Sequence, residues 1–166
     1  MFGSSSDLTR SIYSGAQPVP SLSEFSRRIT LRGRKVAEGA DALTRKVALA
    51  ADQAVVSGTP VDTGRARSNW IAAIGSAPSS VIDAYSPGEA GSTEAANTQA
   101  AIDQAESVIR GYNYGEEIHI TNNLPYIQRL NDGYSAQAPA NFVEQAVLEA
   151  VQVVQFGRVV DGDPGS

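Results

Sequence analysis

Gly58-Thr59-Pro60-Val61-Asp62-Thr63-Gly64-Arg65-Ala66-Arg67-Ser68-Asn69-Trp70-Ile71-Ala72-Ala73-Ile74 is where the chain changes from helical to extended periodicity, and so where its fold class is settled. Gly58-Thr59-Pro60 stops a helix, because glycine costs backbone entropy there and proline has no N–H to donate. Val61 to Arg67 is rich in turn formers and reads as a polar loop, in which Asp62 can accept local amide hydrogen bonds and Gly64 gives a permissive backbone. Asn69 to Ile74 reads as a strand, with Trp70, Ala72 and Ile74 on one face.

Upstream, residues from about Ser23 to Ser57 form a long helix. Phe25, Ile29, Val36, Ala40, Leu43, Val47, Ala50 and Ala54 recur in steps of three, four or seven, which lines them up on one stripe. Ser21 or Ser23 can cap its first turn. Gly33 and Gly39 weaken its first half. A continuous helix of ~34 residues reaches roughly 50 Å, longer than a compact domain of this mass, so it is expected to overhang its own core. Residues 1–22 are an arm rich in Ser, Gly and Pro, with Phe2, Leu8, Ile12 and Tyr13 at spacings that build no helical face. Disorder is one reading of the arm; ordering on a neighbouring subunit is the other.

Downstream, residues 75–92 carry Pro78, Pro87, Gly88 and Gly91 and read as a long functional or mobile loop. Thr93–Arg110 is an alanine-rich helix. Glu117–Thr121 alternates, with Ile118 and Ile120 inward and His119 outward. Pro125–Leu130 is a short helical turn, and Asn131-Asp132-Gly133 a tight turn that tolerates positive φ. A last helix opens near Pro139 or Asn141, where Asn141 and Glu144 resemble a capping box. Val143, Val147, Ala150, Val151 and Val154 make its apolar stripe, and it fades at Gly157. The expected class is α+β: long N-terminal and C-terminal helices packed on a small antiparallel sheet, as one domain over 23–157 with an acidic tail at 158–166.

The 166 residues suit one domain. No cysteine is present, which excludes disulfides, thiolate metal sites and cysteine nucleophiles. No apolar run approaches the ~20 residues that span a bilayer, and nothing resembles a secretory signal, so a soluble protein without a membrane partner is expected. The net charge of −5 argues against general nucleic-acid affinity. It is unevenly placed: Glu24 to Lys46 carries +4, including Arg27, Arg28, Arg34 and Lys35, and the remainder −9. Such polarity suits either a docking face or a solvated helix.

Catalytic chemistry finds little support. Asp62-Thr63-Gly64 is the triplet of aspartic proteases, but those enzymes need two carboxylates sharing one proton, and Arg65 and Arg67 beside Asp62 would oppose that. His119 is the only histidine, so a triad or zinc site is not expected. Glu116-Glu117 is a weak hard-cation candidate, more simply a solvated pair. No phosphate-binding glycine loop is present. No enzyme, cofactor or metal is therefore expected. Arg65, Arg67 and Asn69 form the polar cluster of most interest, since arginines beside a turn can grip a partner's carboxylates or carbonyls, or acids of their own chain.

Four segments in order carry a resemblance: Thr59 to Trp70 after a long helix; Ile120-Thr121-Asn122-Asn123-Leu124-Pro125-Tyr126-Ile127; Leu130-Asn131-Asp132-Gly133; and Gln137-Ala138-Pro139 opening the last helix. Together they resemble the neck and tail-completion family of tailed bacteriophages. There, a PVDTG-basic-x-basic-S loop leads into a strand, a second strand ends in N-x-x-PY, and G-x-S-x-QAP opens the closing helix. The resemblance covers about residues 23–155, with a longer insertion between the first strand and Glu117. It implies a structural virion protein, assembled in the host cytoplasm into a six- or twelve-fold homo-oligomeric ring of the head-to-tail connector. Its neighbours would be portal or head-completion proteins and tail tube or terminator proteins, with genomic DNA passing through the lumen unbound. The interface residues would be Arg65, Arg67, Asn69, Arg27, Arg28, Arg34, Lys35, Phe2, Leu8, Ile12 and Tyr13. The rival is a nucleic-acid-binding module using the basic helix 27–46.

Overall fold

The computed structural model of the protein describes residues 21–160, apart from the side chains of Val153 and residues 157–160. The arm residues Phe2, Leu8, Ile12 and Tyr13 and the acidic tail beyond residue 160 lie outside the described residues. The fold is α+β: α1 (Leu22–Gly58), α2 (Arg65–Ser68), β1 (Ile71–Ile74), α3 (Glu94–Ile109), β2 (Ile118–Thr121), α4 (Ile127–Asn131) and α5 (Phe142–Val160). Two compact units divide the chain, one up to Val36 and one from Ala37. The division between these units falls inside α1.

In the first unit, Ser21 caps α1: its hydroxyl accepts the Glu24 N–H at 3.2 Å and its carbonyl the Phe25 N–H at 2.9 Å. Every residue from Leu22 to Val36 is exposed, the large apolar ones included.

In the second unit, β1 and β2 pair antiparallel, with Ile71 opposite Thr121 and Ile74 opposite Ile118. Val55 and Val56 of α1, Trp70, Ala101 of α3, and Phe142 and Ala146 of α5 form the main buried cluster. Ala72, Ala105 and Ile109 form a second, under Ala48 and Leu49. The helix α3 buries Asn97, Ala101, Ala105 and Ile109 at steps of four. The small side chains of Ala101 and Ala105 let it lie close against β1.

The sequence places several side chains differently from the structure. The segment 65–68 is a short helix and not loop, so the strand begins at Ile71. His119 is half-buried and not outward, since both faces of β2 are partly covered; its Nε2 lies 3.4 Å from a Glu117 carboxylate oxygen. On α5 the buried row is Phe142, Ala146, Ala150 and Val154, while Val147 and Val151 from the expected stripe are exposed. The helix also runs past Gly157 to Val160.

The rotation of α5 follows from how it starts. Asn141 has φ +61° and does not act as the side-chain cap. Asn131, at the end of α4, takes that role: its Oδ1 accepts the Val143 N–H at 2.9 Å and its Nδ2 donates to Glu144 at 2.9 Å. The same amide, together with a backbone hydrogen bond, lowers the Glu144 carboxyl below its usual value. A cap supplied from another element fixes which face of the helix turns inward. Asn131→Ala is expected to cost about 1–2 kcal/mol, read as a lower midpoint in urea with an unchanged slope. A loss within experimental error would mean that Asn131 does not position α5.

Candidate interaction surface

The loop between α1 and β1 is anchored from below by Arg67. This side chain is 5 % exposed and turns into the second unit. One guanidinium nitrogen donates to Glu94 Oε1 at 3.0 Å and Thr98 Oγ1 at 2.7 Å, the other to the carbonyls of Ser57 at 3.1 Å and Thr59 at 2.7 Å. Arg67 thus satisfies carbonyls that the end of α1 leaves without helical partners. Arg67, expected at a partner interface, has both terminal guanidinium nitrogens bonded inside the chain. Asn69, expected there too, is fully buried. Arg65 stays at the surface, its Nε donating to the Ile82 carbonyl at 3.4 Å and its guanidinium 3.8 Å from Asp83.

Buried amide side chains hold the long loop 75–93. Asn69 donates to the carbonyl of Ile82 and accepts its N–H, both at 2.8 Å. Asn97 does the same for Ser86, at 2.8 and 2.9 Å. Gln104 pairs with Ala72 at 3.0 and 3.1 Å, occupying the free edge of β1 as a third strand would. A primary amide carries a donor and an acceptor spaced like a peptide group, so each satisfies one residue's backbone completely. Ser68 joins the net, accepting from Tyr85 N–H at 3.2 Å and donating to Asn97 at 2.8 Å. The segment read as a functional or mobile loop is thereby tied to α2 and α3. None of Asn97, Gln104 or Ser68 was singled out from sequence. For Asn97 the signal existed: a polar residue in register with Ala101, Ala105 and Ile109 on one buried face.

Thr59 seals the end of α1. Its hydroxyl donates to the Val55 carbonyl at 2.6 Å and accepts Trp70 Nε1–H at 2.7 Å. Two turns earlier, Asp52 is 1 % exposed and neither carboxylate oxygen has a hydrogen-bond partner. Burial pushes its pKa from 3.8 up to about 7. Burial, and secondly the nearby Asp52 charge, hold the Tyr85 phenol above its usual value.

Asp62 is an exposed turn residue: its Oδ1 accepts the Ala90 N–H at 3.3 Å and its carbonyl the Gly91 N–H at 2.9 Å. Among the described residues no group of three His, Asp or Glu side chains could hold a metal ion, and no described helix is long and apolar enough to cross a membrane. Arg27, Arg28, Arg34 and Lys35 are all exposed, with Arg28 3.8 Å from Glu24. Arg45, by contrast, bonds the Tyr112 carbonyl and lies 6.0 Å from the centre of that ring.

The concavities on the second unit include two beside the end of α1. One, of about 270 Å³, is bordered by Val61 to Gly64, Tyr126, Leu130, Ser135 and Gln137. The other, of about 500 Å³, runs between the end of α1 and α5; its walls include Ala50, Ala54, Phe142, Ala146, Glu149 and Ala150. Comparison with models of known protein families, with curated proteins and with solved structures finds no match to this chain.

Proposed function

We propose that the chain is a structural virion protein of a tailed phage, forming a ring in the head-to-tail connector between portal or head-completion proteins and the tail tube or terminator. The observation that carries this reading is the convergence of the four segments of the resemblance. Gln137 Oε1 accepts the Val61 N–H at 2.9 Å, Asn122 Nδ2 donates to the Ala66 carbonyl at 2.9 Å, and Asn131 caps α5. Val61, Tyr126, Leu130 and Gln137 border a single cleft. Segments far apart in sequence that bond one another form one structural unit, which is what a shared family pattern requires. Exposed large side chains on both long helices, such as Phe25, Ile29, Leu148 and Phe156, add to it, since solitary proteins seldom leave so many uncovered.

Particles of the phage that encodes the chain are expected to contain it at the head–tail junction, as a rotationally symmetric ring in electron micrographs. The isolated protein should hold duplex DNA no tighter than the roughly 10⁻⁴–10⁻⁶ M of non-specific binders. Complete particles lacking the chain would end this reading. Tight, sequence-selective DNA retention would favour the rival module built on the exposed Arg27, Arg28, Arg32, Arg34 and Lys35.

A further inference from the structure

The sequence of α1 gives residues 22–36 an amphipathic face whose large apolar side chains are exposed among the described residues. Leu22, Phe25, Ile29 and Val36 fall at steps of three, four and seven, hence on one side of the helix. They are 88 %, 57 %, 52 % and 72 % exposed. Arg28, Arg32 and Lys35, at steps of four and three, border this stripe. The segment 22–36 carries five basic residues against Glu24, a balance of +4, whereas residues 37–160 carry fourteen acidic against seven basic, a balance of −7.

The groove between the end of α1 and α5 has the opposite character. Its lining includes Ala50, Ala54, Ala146 and Ala150 with Phe142, alongside the polar Gln53 and Gln145 and the exposed Glu149. Alanines facing each other across two helices leave a furrow that accepts the larger side chains of a third. Glu149 is an acid set to meet a bordering arginine or lysine.

We infer that residues 22–36 of one copy of this chain lie in the α1–α5 groove of a second copy, Leu22, Phe25, Ile29 and Val36 over the alanines and a basic neighbour against Glu149. This rests on the ring reading and supplies its contact. The occupant is a second copy because the two complementary charges, +4 and −7, belong to one chain. Two different patches that fit each other make a head-to-tail contact, and repeating it by a fixed rotation closes a ring. Opposed charge also speeds the encounter.

The test uses the full chain, whose lack of cysteine makes engineered pairs unambiguous. Ile29→Cys protein is mixed with Gln145→Cys protein under mild oxidation, with Ser107→Cys protein as the control partner. All three positions are exposed, so the fold should survive. A disulfide between two single-cysteine chains must join two copies. The 29–145 bond is expected to form about tenfold or more faster than the 29–107 bond, the gain that a formed complex gives over random encounter. Equal rates would overturn the inference. So would a 29–145 bond that forms only within one chain carrying both cysteines. Native mass spectrometry separates this from the ring reading: closed rings without the 29–145 preference would leave the ring and remove the contact, while the preference in simple dimers would keep the contact and remove the ring.

Discussion

Gly64→Ala is expected to destabilise the protein by about 3–5 kcal/mol, of which backbone strain alone accounts for ~1–2 kcal/mol. Gly64 sits at φ +83°, a left-handed conformation that a Cβ disfavours. The added carbon would also stand 2.1 Å from Asn97 Nδ2 and 2.8 Å from its Cγ. Asn97 cannot yield cheaply. It is fully buried, and its amide holds Ser86, Thr93 and Ser68 at 2.8–3.0 Å. Moving it leaves buried partners without hydrogen bonds, at ~1–3 kcal/mol each. Chemical denaturation measures the loss, and a double-mutant cycle divides it: in an Asn97→Ala background, Gly64→Ala should cost only the strain. Full additivity of the two substitutions would show that Gly64 is not glycine for the sake of Asn97.

Asp52→Asn is expected to stabilise the protein, and to do so only above acid pH. The folded carboxyl has its pKa raised from 3.8 to about 7 by burial. Below pH ~4 the group is protonated in both folded and unfolded chains and carries no penalty. As pH rises from about 4 to 7, the unfolded chain ionises first, so stability falls. Above about 7 the penalty is complete. With ~1.4 kcal/mol per pKa step, the gap from 3.8 to about 7 corresponds to about 4 kcal/mol. Thermal melts of both proteins across pH 4–8 should therefore diverge with rising pH, the asparagine protein melting several degrees higher at pH 8 and Tyr85 losing the charge that helps hold its phenol protonated. Parallel curves would show that Asp52 is ionised in the folded protein throughout.

The sequence was most legible where one local rule governs. Helix periodicity with a Gly-Thr-Pro stop located the end of α1 within one residue, and alternation located β2. Gly133 adopts the positive φ expected of Asn-Asp-Gly. Local rules became ambiguous wherever two faces had comparable claims to burial. Valines at 143, 147 and 151 compete with Phe142, Ala146, Ala150 and Val154 for the inward side of α5. The amide of Asn131, one helix earlier, tips the balance toward Phe142, Ala146, Ala150 and Val154.

The polar cluster shows the same division. That Asp62, Gly64, Arg65, Arg67 and Asn69 matter can be read from their types and order, because turn formers followed by arginines belong beside a chain reversal. Their directions cannot. Arg67 and Asn69 face inward because carbonyls at the end of α1 and the peptide of Ile82 need donors that no local partner supplies. Those partners come from eight to thirteen residues away. In sum of causes, the chain's periodicity and stop residues sufficed for an α+β order of elements, since these act over one helical turn or one strand pair. The inward turn of Arg67, the stapled loop 75–93 and the uncharged burial of Asp52 below neutral pH arise only when separate elements pack, because hydrogen-bond demand and desolvation are set by neighbours distant along the chain.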